Sequence, residues 1–111
     1  MNINKELLKG STVILILKQL EQQPMYGYEM IAAISRDSNG IFNFREGTLY
    51  PILHALESEG FVESYWIGDE GTRRRKYYRI TGEGRHYLEA KRREWVIFRT
   101  AVDQVLGEDR A

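Results

Sequence analysis

The chain has 111 residues, 42 % of them hydrophobic, and its 16 Lys and Arg balance its 16 Asp and Glu. This length suits a single domain, and the hydrophobic content is too high for a disordered chain. The absence of cysteine excludes disulfides and thiolate metal sites and suits a reducing compartment, so we expect a cytoplasmic protein. The N-terminus is polar and lacks a signal-peptide pattern, and the longest apolar run, residues 13–17, is far shorter than the ~20 residues of a membrane span.

Turn signals delimit two helices in the first third of the chain. The apolar run within residues 5–22 is by itself compatible with a strand, but the continuing pattern favours a helix, apolar on most sides and therefore central. Pro24 ends it. A second helix is predicted over residues 26–38, before Asn39-Gly40 stops it. The stripe with near-helical spacing consists of Tyr28, Ile31, Ala32 and either Ile34 or Ser35.

The third helix has the clearest pattern. Apolar residues recur at i, i+3, i+4 and i+7. They are Leu49, Ile52, Leu53 and Leu56. Proline is tolerated in the first turn of a helix, so Pro51 predicts a start at Gly47 or Thr48. Gly60 is expected to end the helix, which then covers residues 48–59.

The second half of the chain contains a predicted β-hairpin and a long helix. Residues 61–67 and 75–80 are rich in aromatic and β-branched side chains and flank a glycine-containing turn. Thr81 is a suitable N-cap for a last helix, which is expected to run to residue 106 and to end at Gly107.

This order of elements predicts a mainly α fold with a small β-hairpin. Three helices, a hairpin and a long helix form the arrangement of a winged helix-turn-helix with a C-terminal extension. We expect residues 1–80 to form a DNA-binding domain and residues 81–111 a dimerisation helix, together one compact unit.

In a helix-turn-helix, the second helix of the motif lies in the major groove and its first residues meet the base edges. Here that is the third helix. Its candidate DNA contacts are Arg45, Gly47, Thr48, Tyr50, Pro51 and His54. Gly47 would let the backbone approach a phosphate closely. Thr48 and Pro51 are equally compatible with purely structural roles at a helix start.

Four consecutive cations lie at the end of the hairpin turn. They are Arg73, Arg74, Arg75 and Lys76, here called the wing cations. A zero net charge argues against a generally basic nucleic-acid binder, but the acids lie largely elsewhere, and a basic hairpin beside a groove-sized helix favours phosphate contact. The alternative is a solvated loop. For the neighbouring aromatic residues Trp66, Tyr77 and Tyr78 we expect core packing rather than base stacking.

The last helix carries a seam of apolar residues. Leu88, Trp95 and Val102 recur every seven residues, and Phe98 and Val105 form a second row. About 25 helical residues extend ~37 Å, more than a small winged domain can cover. We therefore expect a dimer interface here, rather than a helix that covers only its own domain.

Several short motifs occur in an order that is specific in combination. They are Tyr26-Gly27, the run from Gly47 to Pro51, Leu56-Glu57 with Gly60, Tyr65-Trp66, the run from Gly71 to Tyr78, and Thr81 with Gly84. In these motifs the chain resembles the PadR family of bacterial transcriptional regulators. The resemblance implies a homodimeric repressor, often released from double-stranded DNA by a small molecule. It adds Tyr26 to the DNA contacts, and it places Ala55 where relatives often have a basic residue.

The resemblance also suggests a ligand site near the two-fold axis, because related regulators sandwich planar aromatic drugs between tryptophans. The candidate ligand residues are Thr12, Val13, Leu88, Arg92, Trp95 and Arg99. Four of them share one face of the last helix by i, i+3/i+4 spacing. The two arginines would favour a planar aromatic anion. The alternative is that Trp95 is a core residue and the arginines are solvated.

The sequence gives no indication of catalysis. His54 and His86 are isolated, and no phosphate-binding loop or metal-ligand spacing occurs. We therefore expect a protein that is not an enzyme and needs no cofactor or metal. A symmetric dimer predicts an inverted-repeat operator with half-sites ~10 bp, or a multiple, apart. The alternative function is a winged-helix module for protein interaction without specific DNA binding.

Overall fold

The computed structural model describes residues 11–69, 71 and 73–108. Its elements are α1 (Thr12–Gln22), β1 (Met25–Tyr26), α2 (Gly27–Asp37), α3 (Glu46–Ser58), β2 (Val62–Ile67), β3 (Arg75–Ile80) and α4 (Gly82–Leu106). This order confirms the mainly helical fold with a small sheet, a winged helix-turn-helix followed by a long C-terminal helix. The predicted helical residues 5–10 lie outside the described part. None of the described helices is long and apolar enough to cross a membrane.

α1 is the central helix, as its apolar pattern predicted. Ile16 and Leu17 are fully buried, and the helix contacts α2, β3 and α4. Around it lies one apolar core to which α2, α3, the sheet and α4 all contribute. Its other fully buried members are Leu20, Met30, Leu49, Leu53, Val62, Tyr78 and Leu88.

The sheet has three antiparallel strands in the order β1-β3-β2. The predicted hairpin is present, with Trp66 opposite Lys76 in its register. β1 was not predicted, because two residues are too few to show an alternation. Its pairing places Tyr26 opposite Tyr77 and thereby ties the start of α2 to the hairpin.

The predicted stripe of α2 was right for Ile34, which is buried, and for Ile31, which packs against the core, but wrong for Tyr28 and Ala32. Tyr28 is 66 % exposed and Ala32 is also exposed, while Gly27, Met30, Ala33 and Ile34 are buried. Two overlapping stripes with helical spacing occur in this segment, and the stripe with the larger aliphatic side chains faces the core. With α2 oriented in this way about its axis, Tyr28 lies exposed to solvent beside the hairpin.

α3 begins at Glu46, one or two residues earlier than predicted, and ends at Ser58. Pro51 is therefore its sixth residue and lies in the second turn rather than the first. Because proline has no amide proton, the carbonyl of Gly47 lacks its usual donor four residues on. Both residues are exposed, so water can hydrate that carbonyl.

Both predicted ends of α4 are confirmed. Thr81 Oγ1 accepts the amide of Gly84 at 3.0 Å and donates to the Gly60 carbonyl at 2.7 Å. Gly107 ends the helix in the left-handed conformation, with φ 75°. A Cβ built at Gly84 would overlap the carbonyl oxygen of Phe61, so α4 approaches the end of the α3–β2 connection more closely than any other residue would allow.

The first turns of α4 belong to the core of the chain itself. Tyr87 stacks on Phe61 with ring centroids 4.2 Å apart, and Leu88 is fully buried. Leu88 was predicted for both the dimer seam and the ligand face, and burial within its own domain removes it from both surfaces. Seven-residue spacing cannot show where a helix leaves the core.

Candidate nucleic-acid interface

α3 separates an inner apolar face from an outer polar face. Leu49 and Leu53 are fully buried, while Ile52 is half-buried beside them. Five of the six predicted contacts on α3 are exposed on the other side. These are Arg45, Gly47, Thr48, Pro51 and His54.

The first turn of α3 is not capped by any described side chain. Arg45 occupies the N-cap position, and its guanidinium has no acceptor atom for the first amides of the helix. A Cβ built at Gly47 would meet no atom within 4 Å, so the fold does not require glycine here. The Arg45 carbonyl accepts the amides of Thr48 and Leu49, and the open space beside Gly47 leaves a surface that a phosphate group can approach.

Tyr50 is half-buried, unlike the other predicted contacts on α3. Its hydroxyl lies against Gly27 so closely that a Cβ there would overlap it. Burial raises the pKa of Tyr50, and the Glu46 carboxylate adds to this shift. Tyr50 thus connects α3 to the start of α2, and its ring edge lies next to His54, with centroids 6.4 Å apart.

Three of the four wing cations lie over aromatic rings. The Arg75 guanidinium is 4.6 Å from the centroid of Tyr26, and that of Arg74 is 5.2 Å from the centroid of Trp66. Lys76 lies over a third ring at 5.6 Å. No ion pair between described residues includes a wing cation. Within residues 11–69, 71 and 73–108, no carboxylate neutralises these charges.

The outer face of α3, the start of α2 and the wing enclose an open cleft of about 510 Å³. Its lining includes four cations and one carboxylate. The lining residues are Tyr26, Tyr28, Glu46, Tyr50, His54, Trp66, Tyr78 and the wing cations Arg73, Arg74, Arg75 and Lys76. The structure thus brings residues from both predicted DNA-reading segments to one positively charged surface, here called the cleft.

Core packing was correctly predicted for Tyr78, which is fully buried, and in part for Tyr77, which is half-buried. It was wrong for Trp66, which is 56 % exposed. Trp66 lies near the open end of the hairpin, where strand alternation continues but no layer covers the sheet. Burial, with smaller contributions from Glu57 and Tyr50, raises the pKa of Tyr78.

Four cleft residues were missed as site residues: Tyr28, Glu46, Trp66 and the buried Tyr78. Tyr28 was assigned to the core stripe of α2, and Trp66 to the core of the sheet. Glu46 was placed before the predicted start of α3. Correct helix bounds would have pointed to it, because an acid in the first helical turn is a common helix signal.

The second half of α4 exposes large apolar side chains. Trp95 and Phe98 contact one another, with centroids 6.0 Å apart, and are 42 % and 52 % exposed. The remaining exposed apolar residues of this segment are Val96, Ile97, Val102, Val105 and Leu106. The apolar surface is therefore wider than the two predicted rows. We call the residues Trp95, Phe98, Val102 and Val105 the α4 face.

The predicted ligand residues are not all accessible. Thr12 is buried and Val13 half-buried in α1, whereas Arg92, Trp95 and Arg99 are exposed. A hydrogen bond from Lys18 lowers the pKa of Glu21, and the charges of Arg92 and Arg85 lower it further. Arg92 thus already lies within electrostatic reach of a carboxylate at the end of α1.

Residues 16–90 match the Transcriptional regulator PadR-like family. An uncharacterized protein of Lysinibacillus sphaericus is 33 % identical over 103 residues, which cover 91 % of this chain and 93 % of that protein. Transcriptional regulator Rv3488 of Mycobacterium tuberculosis is 32 % identical over 89 residues, which cover 80 % of this chain and 79 % of that protein.

Solved structures extend the similarity along α4. A transcriptional regulator from Clostridium thermocellum has a TM-score of 0.84 at 33 % identity, covering 90 % of this chain and 97 % of that one. A PadR family transcriptional regulator from Eggerthella lenta has a TM-score of 0.79 at 36 % identity, covering 91 % of this chain and 86 % of that one. Because sequence and fold agree over most of the chain, the protein belongs to the PadR-like family of transcriptional regulators.

Proposed function

We propose that this protein is a homodimeric repressor that binds inverted-repeat DNA and is released by a small planar aromatic ligand. The observation that carries the DNA-binding part is the cleft, where the exposed face of α3 and four cations without ion pairs to described residues meet. An alternative role as a protein-interaction module would not need these charges to remain available.

The cleft suggests how the duplex would lie. α3 enters the major groove with Thr48 and His54 toward the bases, while Arg45, Gly47 and Pro51 lie at the phosphate edge of that groove. The wing cations then contact the adjacent backbone. Substitution Arg74→Ala would weaken binding equally on all sequences, whereas Thr48→Ala would also change sequence preference.

The α4 face supports the homodimer. Beyond Leu88 the helix leaves its own core, and four apolar side chains continue along one side of it. Exposed apolar surface of this extent is typical of an interface. The dimerisation segment predicted over residues 81–111 is thereby reduced to the part that follows the first turns of α4.

The proposed ligand site centres on Trp95. Arg92 and Arg99 lie on the same helix, and Val13 lies half-buried in the first turn of α1. A planar aromatic acid could stack on the exposed indole while the arginines pair with its carboxylate. Quenching of tryptophan fluorescence by such acids, absent in Trp95→Phe, would support this site. If a diverse panel produces no quenching, Trp95 serves packing alone.

The deciding experiment is fluorescence anisotropy with DNA from upstream of the protein's own gene, at fixed physiological salt, with a scrambled duplex as control. Tight binding to the upstream DNA alone supports a sequence-specific autoregulator. Equal and weak binding to both duplexes, with little dependence on salt, contradicts the proposal and favours the protein-interaction module.

A further inference from the structure

Five cations in the described part of the chain lie over an aromatic ring, between 4.6 and 5.6 Å from its centroid. They are Arg74, Arg75, Lys76, Arg79 and Lys91. Two of these five cations also form an ion pair with a carboxylate: Arg79 pairs with Glu63 at 2.6 Å, and Lys91 pairs with Glu94 at 3.1 Å. The other three cations belong to the wing and pair with no described carboxylate.

This division has a physical consequence for phosphate binding. A carboxylate holds a cation in place but cancels its charge, and an arriving phosphate must displace it. A ring attracts the cation through its quadrupole and adds no negative charge. An arginine held over a ring therefore loses side-chain freedom before the phosphate arrives and keeps its full charge.

We propose that Trp66 is a positioning residue that holds the Arg74 guanidinium where a DNA phosphate meets it, an inference that rests on the proposed DNA-binding function. The guanidinium lies 5.2 Å from the Trp66 ring centroid, and both residues line the cleft. The indole is 56 % exposed, so the core does not require it. Its place on β2 is fixed by the pairing of Trp66 with Lys76 across the hairpin.

The experiment is a double-mutant cycle measured across a salt series on one fixed duplex. The proteins are the parent, Trp66→Leu, Trp66→Phe, Arg74→Ala and the double variant Trp66→Leu/Arg74→Ala. Ile67→Ala is the control for loss of an exposed apolar side chain on the same strand, because Ile67 is 50 % exposed and has no aromatic ring to hold a cation.

We expect Trp66→Leu to weaken binding by about 2- to 5-fold, the strength of one exposed cation–ring contact. The slope of log binding constant against log salt concentration should equal that of the parent, since the charge of Arg74 remains. Arg74→Ala should reduce the slope by about 0.9, the loss of one phosphate contact. Trp66→Phe should behave like the parent, and the double variant like Arg74→Ala. Melting temperatures should not differ, because Trp66 is outside the core.

Two results would overturn the inference. Trp66→Leu could bind as tightly as the parent, which would mean that the ring does not position Arg74. Alternatively, the losses of DNA-binding free energy in Trp66→Leu and Arg74→Ala could add up in the double variant. This would mean that Trp66 contacts DNA independently of Arg74. The salt dependence of the parent's DNA affinity tests the proposed function separately. If the parent's affinity does not fall with salt, DNA binding through phosphate contacts is contradicted. If it does fall, the double-mutant cycle decides whether Trp66 positions Arg74.

Discussion

The two exposed surfaces of the molecule differ in how the chain itself supports them. In the cleft, three of the wing cations lie over rings, Tyr50 packs on Gly27, and β1 ties the start of α2 to the hairpin. On the α4 face, Trp95 contacts Phe98, and all four side chains are exposed because this part of the helix extends past the core. The cleft is therefore organised before any partner arrives, whereas the α4 face is complete only when another apolar surface covers it.

The largest effect is expected when the α4 face is broken. Phe98→Asp places a charge on the apolar seam and should produce a monomer in sedimentation velocity. Loss of the link between two half-sites should weaken operator binding by about 10²-fold or more. Thr100→Asp adds the same charge on the opposite side of α4 and should remain dimeric. A dimeric Phe98→Asp protein would show that this face does not hold the dimer together.

A smaller effect is expected from adding one methyl group at the exposed start of α3, next to the cleft. Gly47→Ala meets open space, so the free energy of unfolding should be unchanged or rise by up to about 1 kcal/mol. The methyl would hinder a phosphate at the uncapped start of α3, and we expect about a 10-fold loss of DNA affinity from one charged hydrogen bond.

Gly82→Ala is the matched control for Gly47→Ala. It also lies in the first turn of a helix and also meets no atom within 4 Å, but it belongs to α4, which contributes no residue to the cleft, whereas Gly47 follows the cleft residue Glu46. Its DNA affinity should equal that of the parent. If the two alanine variants bind DNA equally well, the start of α3 is not a phosphate contact.

Tyr26 allows a test of whether a hydroxyl or a ring is needed in the cleft. Its ring lies between Tyr77, at 5.4 Å, and the guanidinium of Arg75, at 4.6 Å. If the ring matters, Tyr26→Phe should bind DNA as the parent does, and Tyr26→Leu should lose about 2- to 5-fold. An equal loss in both variants, measured by anisotropy, would instead assign the effect to a direct contact by the hydroxyl.

The smallest effect is expected at Asp37, which belongs to neither surface. Hydrogen bonds from Gln19, at 2.8 Å, and then from Arg36 lower the pKa of Asp37. A carboxyl group with a lowered folded-state pKa adds stability above its unfolded value of about 3.9, and this contribution is lost as pH falls through the folded-state pKa.

Asp37→Asn should therefore be slightly less stable than the parent at pH 7, and the difference should vanish in strong acid. Urea unfolding at pH 7, 4 and 3 measures this change. Glu89→Gln, at an exposed position of α4, controls for the loss of one negative charge. A difference between Asp37→Asn and the parent that does not depend on pH would exclude the carboxylate as its source.

The parts of the fold that depend on local chemistry were predictable from the sequence. The i, i+3, i+4, i+7 pattern identified α3, and the hydroxyl of Thr81 and the left-handed conformation of Gly107 marked both ends of α4. The run of four cations identified the wing. Each of these features is decided by a few neighbouring residues.

The errors arose where distant elements decide the outcome. Periodicity in α2 offered two stripes, and only packing against α1 and α3 selects the one with Met30. The seven-residue spacing grouped Leu88 with Trp95, although the core ends between them. Exposure of Trp66 follows from the hairpin extending past the helices, which strand alternation cannot reveal.

The close approach at Gly84 has a consequence for the spacing of DNA sites. α4 leaves the winged domain at an angle that is set where its first turn touches the Phe61 carbonyl. In the proposed dimer this helix is ~37 Å long, so a small change in its angle at Gly84 displaces its far end by several times more than its first turn. A single missing methyl group would then determine the distance between the two recognition helices, and with it the length of the spacer that the regulator accepts between half-sites.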